Sequence, residues 1–226
     1  FEKLLGRLKG VAAVDVDPGV TEIFRREDEE SHWRRRVETI GRKPEQDAAW
    51  RRSVGSMKVK LHPYQKEGIL FAVAKRRAFL GDDMGLGKTM QAIGAALLLK
   101  ELGQVRRVLV ICPASLKSQW RAEIERACGA PTEIVSGGAR ERAEQYRTTR
   151  AFFVLINYEL LHRDLEGIRS LKPGLIILDE AQRIKNWQTK TSRTLKRLES
   201  PFKLALTGTP LENRLAELQS VAEFLD

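Results

Sequence analysis

The chain has 226 residues, enough for one large α/β domain plus an accessory segment, and its 42% apolar content excludes global disorder. No apolar run approaches the roughly 20 residues of a membrane span, no signal peptide opens the chain, and Cys112 and Cys128 form no C-x-x-C pair, which argues against zinc or a disulfide framework. A net charge of +10 points to an anionic partner, most commonly nucleic acid, although surplus Lys and Arg on a solvated face give the same number.

Residues 1–55 show mixed charge and no chemistry. Phe1 to Lys9 reads as a short amphipathic helix, and Val11 to Gly19 ends in the turn signal Pro18-Gly19. Arg25 to Glu30 and Arg34-Arg35-Arg36 mix both charge signs as on a solvent-exposed helix, with Trp33 and Trp50 placed to pin the segment to the main body.

From Val59 the organisation tightens. Leu61-His62-Pro63-Tyr64-Gln65 opens a helix through Ala74, with Pro63 suited to its first turn. The Gln65 amide matches the edge of an adenine and is equally an ordinary helix-start glutamine.

Ala78-Phe79-Leu80 then reads as a buried strand, followed by the loop Gly81 to Thr89 and a helix from Gly87-Lys88-Thr89 through Leu99. That geometry suits a polyphosphate, because a helix N-terminus offers unpaired N–H groups and positive potential. Gly85 and Gly87 let the backbone close around phosphates, Lys88 reaches the β- and γ-phosphates, and the Thr89 hydroxyl can ligate Mg²⁺. Only the G-K-T half of the phosphate-loop pattern is strict, since Asp82 stands where the first Gly belongs; a glycine turn before a core helix is the alternative.

Val108–Cys112, closed by Pro113, reads as a buried parallel strand with Cys112 packed at its end. Ser115 is placed to cap a helix whose Leu116, Gln119, Trp120 and Ile124 are spaced to bury one face. A short strand at Thr132–Val135, a surface helix at Ala139–Arg147 and a buried strand at Ala151–Ile156 follow, the last leading into Asn157-Tyr158. Trp120 and Tyr158 either stack on bases or pack in the core. Leu175–Leu178 runs straight into Asp179-Glu180-Ala181-Gln182. Two carboxylates at the end of a buried strand suit an ATPase, Asp179 holding Mg²⁺ and Glu180 orienting water, although a helix N-terminus also favours acids. The last strand, Pro201–Leu206, ends in Thr207-Gly208-Thr209-Pro210, whose hydroxyls are placed to sense the γ-phosphate. Phosphate loop, Asp179 and Thr207 are therefore predicted to converge at one sheet edge.

In this order, Leu61 to Gln65, Asp82 to Thr89, Pro113 to Leu116 with Trp120, Asp179 to Asn186 and Leu206 to Asn213 resemble the first motor lobe of a superfamily-two nucleic-acid ATPase. The nearest likeness is to the Swi/Snf family of double-stranded DNA translocases, over about Val59 to Asp226. The resemblance implies a RecA-like P-loop lobe over 56–226, mainly a parallel sheet with helices on both faces, behind a mostly helical accessory segment at 1–55. It implies ATP and Mg²⁺ as cofactors, with Gln65 and Asp82-Asp83-Met84-Gly85-Leu86-Gly87-Lys88-Thr89 binding nucleotide. Thr89 and Asp179 would hold metal, Lys88, Asp179 and Glu180 would serve hydrolysis, and Gln182, Thr207, Gly208 and Thr209 would couple. Ser115, Leu116, Asn157, Tyr158 and Lys185 would lie along double-stranded DNA. Gln182 departs from the family, which usually has His there.

Members of that family walk along duplex DNA and remodel what is bound, and a second motor lobe supplies the arginines that complete the ATP site. Nothing of that lobe is found in this sequence, which is read as a fragment nearly inactive alone, from an intracellular protein of cytoplasm, nucleoid or nucleus. The competing readings are a strand-separating RNA or DNA helicase lobe and a nucleotide-binding scaffold without turnover.

Overall fold

The computed structural model describes residues 17–81, 85–183, 190–208 and 221–225. Asp82, Asp83, Met84, Lys185 and Thr209 lie outside the described residues, as does the Phe1–Lys9 segment.

Strands β1 (Arg77–Leu80), β2 (Val108–Cys112), β3 (Thr132–Ile134), β4 (Phe153–Asn157), β5 (Leu175–Leu178) and β6 (Phe202–Leu206) form one sheet. Their order is β1-β6-β5-β2-β4-β3, and every pairing is parallel. The continuous apolar runs follow from burial on both faces, since a strand's side chains alternate between them. Val108, Val110 and Cys112 enter one core cluster while Leu109 and Ile111 enter the other.

Helices cover both faces. On the first, α3 (Pro63–Lys75), α4 (Lys88–Glu101) and α5 (Lys117–Ala127) supply Ile69, Ile93 and Trp120. On the second, α6 (Ala139–Thr148), α7 (Leu165–Ser170) and α8 (Lys190–Lys196) supply Tyr146, Ile168 and Leu195. Each fully buried Ile or Leu stabilises the fold by about 1.5–3 kcal/mol relative to exposure.

Helices α1 (Pro18–Arg42) and α2 (Ala48–Arg52) join the first of these cores through Trp33, Val37, Ile40 and Trp50. The Trp33 indole N–H donates to the Val73 carbonyl at 2.9 Å, and its ring meets Phe202 edge-on at 5.7 Å. The Arg76 guanidinium lies 5.4 Å from the Trp33 ring and 5.6 Å from that of Phe202. The solvent side of α1 carries the expected ion pairs, Arg25 with Glu22 and Glu29 among them.

Two local expectations are corrected. Pro18-Gly19 does not end a turn but opens α1, because a proline fits the first helical position and the Asp17 carboxylate accepts from Gly19 N at 2.7 Å. Ser115 caps no helix. Residues 114–116 first make a 3₁₀ turn, with Leu116 N donating to Pro113 O at 2.9 Å, and α5 starts behind Leu116 without a side-chain cap. The Ser115 side chain is left exposed.

Candidate active site

Register brings three loops together. Leu80 pairs with Leu206 and Leu178 with Ala205, so the loops after β1, β6 and β5 leave the same, C-terminal edge of the sheet side by side. Ligands bind at that edge in open parallel sheets.

After β1 the backbone turns through Gly85 and Gly87, with φ of 85° and 75°, a region that favours glycine. Gly87 is the N-cap of α4, which places Lys88 and Thr89 in the first turn, where backbone N–H groups lack helical partners. The loop is wired to α3. Gln65 Oε1 accepts from His62 N at 2.9 Å, Gln65 Nε2 donates to Leu86 O at 3.1 Å, and the Tyr64 hydroxyl donates to the same carbonyl at 3.0 Å. A Cβ at Gly87 would overlap Gln65 Nε2. The Gln65 amide keeps one lone pair and one hydrogen beyond these bonds, the complement that an adenine edge needs.

At the end of β5, Asp179 is held on all sides. Its Oδ2 accepts from the Trp120 indole N–H at 2.7 Å, its Oδ1 accepts from Glu180 N at 3.0 Å, and its main-chain carbonyl accepts from the Tyr158 hydroxyl at 2.7 Å. Burial pushes its carboxyl above the usual range, opposed by the Trp120 bond and by the charge of Lys88. An acid whose folded pKa is raised withdraws stability once pH climbs past its unfolded value.

Glu180 has φ of 54°, rare outside glycine. Its carboxylate accepts from the Gln182 side-chain amide, and Gln182 Oε1 accepts from the Thr207 hydroxyl at 2.6 Å. One amide thus donates toward the strand-β5 acid and accepts from the strand-β6 hydroxyl, a bridge that an imidazole would also span. Gly208 follows, half-buried.

Among the described residues, no group of three or more His, Cys, Asp or Glu could cage a metal. The Thr89 hydroxyl and Asp179 carboxylate fit Mg²⁺, which takes one or two protein oxygens and completes its shell with phosphates and water.

Of the nucleic-acid candidates, Ser115 is exposed, Leu116 and Asn157 are half-buried, and Tyr158 is buried. Neither Trp120 nor Tyr158 has an exposed ring to stack on a base, at 2% and 7% accessibility. Lys117 was not singled out from sequence; its Nζ donates to Asn157 Oδ1 at 3.1 Å and Val135 O at 3.2 Å. The available signal was a lysine in a first helical turn, where the dipole disfavours it. Cys112 is fully buried, its thiol pushed up to about 12 by desolvation, and packs as a small apolar residue.

The profile of the SNF2-related domain matches residues 64–226. The putative ATP-dependent helicase/translocase YwqA of Bacillus subtilis is 39% identical over 179 residues, covering 76% of this chain and 19% of that protein. The DNA repair and recombination protein RAD54B of Mus musculus is 34% identical over 183 residues, covering 74% of this chain and 21% of its own length. A solved Sulfolobus solfataricus SWI2/SNF2 ATPase core in complex with dsDNA superposes with a TM-score of 0.68 at 32% identity, over 75% of this chain and 36% of that one. The chain spans about a fifth of the length of these curated relatives. With a family profile over 64–226 and the same parallel sheet as a solved SWI2/SNF2 ATPase core, the chain belongs to the SNF2-related domain family.

Proposed function

We propose that this chain is the nucleotide-binding lobe of an ATP-dependent double-stranded DNA translocase, of the kind that displaces or remodels what is bound to the duplex. The observation that carries the reading is the convergence of the Gly87-Lys88-Thr89 helix start, Asp179-Glu180 and Thr207 at one sheet edge. The solved relative in complex with dsDNA supports duplex DNA as the track.

In this reading Gln65 fixes the adenine while its bond to Leu86 keeps the base in register with the phosphate loop. The first turn of α4 and the Lys88 ammonium would hold the phosphates, where Mg²⁺, when bound, would supply further positive charge. Thr89 and Asp179 hold the metal, and Glu180 orients the water. Gln182 ties Glu180 to Thr207, so the group that activates water and the group that senses phosphate move together. Ser115, Leu116, Asn157 and Lys185 form the DNA side of the lobe, and a second motor lobe of an intracellular parent protein completes the ATP site.

Lys88→Ala is expected to weaken binding of Mg²⁺·ATP about 10- to 100-fold, the worth of a charge-assisted contact. Calorimetric titration of residues 1–226 with a non-hydrolysable ATP analogue checks it. An unchanged affinity would remove Lys88 from the phosphate site and the ATPase reading with it.

A further inference from the structure

The two aromatic side chains beside the nucleic-acid face both turn inward onto one aspartate. Trp120 stands one turn into α5, directly behind Ser115 and Leu116, and its buried indole donates to Asp179 Oδ2 at 2.7 Å. Tyr158 follows Asn157 at the end of β4, and its hydroxyl donates to the Asp179 carbonyl at 2.7 Å. Lys117 braces these two segments against each other through Asn157 Oδ1.

Both segments offered to DNA are therefore one hydrogen bond away from Asp179. With Oδ2 held by the indole and Oδ1 by Glu180 N, the carboxylate has one fixed orientation, and each oxygen keeps a lone pair for a cation. Outer partners of this kind orient metal ligands, and their loss typically weakens metal binding about 10- to 100-fold. A buried indole N–H needs a partner, and the one Trp120 takes is a carboxylate oxygen rather than a main-chain carbonyl.

We propose that Trp120 and Tyr158 are positioning residues that carry occupancy of the nucleic-acid face to the metal-binding carboxylate of Asp179. A backbone phosphate arriving at Ser115, Lys117 or Asn157 displaces the start of α5 or the end of β4, and Trp120 and Tyr158 pass that displacement to Asp179. The mechanism rests on the ATPase reading above, and it makes nucleic acid act on metal coordination within the lobe.

The test uses residues 1–226 with ADP, Mg²⁺ and a short mixed-sequence DNA duplex as probes. The chain has four tryptophans, so ¹⁵N-labelled protein gives four indole N–H resonances, and Trp120→Phe identifies its own by loss. The Trp120 resonance is expected to move when Mg²⁺ is added to the ADP complex and to move again with duplex. Trp120→Phe should raise the Mg²⁺ needed for half-maximal effect on ADP binding about 10-fold, leaving metal-free ADP binding unchanged. Tyr158→Phe, which deletes one oxygen, should shrink the duplex-induced movement.

A Trp120 resonance silent to both Mg²⁺ and duplex, or a Mg²⁺ midpoint unmoved by Trp120→Phe, overturns the proposal. If that variant unfolds, shown by collapse of the remaining indole signals, the wild-type titrations and Tyr158→Phe decide. Absence of ADP binding by the wild type overturns the ATPase reading together with this inference, whereas binding with a silent indole overturns the inference alone.

Discussion

Residues 1–226 alone are expected to hydrolyse ATP about 10³- to 10⁵-fold more slowly than a protein that also carries a second motor lobe, the range that an arginine from outside the phosphate loop contributes. In the reading proposed above, the described edge would supply a phosphate cradle at the start of α4, Lys88, Asp179 for the metal and Glu180 for the water. Charge spreading over the transferred phosphoryl oxygens calls for a further cation, and in the proposed reading it would come from a second lobe closing on DNA. Duplex DNA should consequently stimulate the 226-residue chain little. Phosphate release measured for both proteins, with and without duplex, checks this. Strong DNA-stimulated turnover by residues 1–226 would sink the split-site account and direct the search to an arginine within them.

In the two-lobed protein, Glu180→Gln is expected to lower turnover about 10²- to 10⁴-fold, the usual contribution of a positioned base. Nucleotide affinity should stay within about a factor of two, because Glu180 bonds to Gln182 and the amide keeps that shape and partner. The contrast with Lys88→Ala separates the two roles, one residue binding phosphate and the other acting only as the water attacks. Single-turnover rates and equilibrium binding on both variants decide it. Equal loss of binding from the two changes would contradict the assignment.

Much of this site was legible because buried parallel strands write themselves as unbroken apolar runs. Val108–Cys112 and Leu175–Leu178 stand in the structure with the bounds read from sequence, and the candidate residues follow at their ends. The helix start at Gly87-Lys88-Thr89 was equally readable, since its two glycine φ angles and its first-turn residues are local properties. Strand order was not, because pairing β6 with β1 joins residues more than a hundred positions apart. Trp120 shows the limit most clearly. Its spacing revealed a buried helix face, but not that the indole N–H would meet a carboxylate 59 residues further along. Pro18-Gly19 misled for a simpler reason: the same dipeptide ends turns and begins helices, and only the preceding Asp17 cap distinguishes them.

The backbone at Glu180 has a consequence for anyone who tries to toughen this protein. A side chain held at φ of 54° costs about 1 kcal/mol or more that glycine or asparagine would not. A screen that rewards heat resistance alone, with no demand for turnover, will drift toward Gly or Asn at position 180. The melting temperature of Glu180→Gly should rise, while turnover should fall by the same roughly 10²- to 10⁴-fold expected of Glu180→Gln. Thermostable variants harvested blindly from such a library would be well-folded nucleotide binders with a dead motor, and their sequences would mark this position before any assay did.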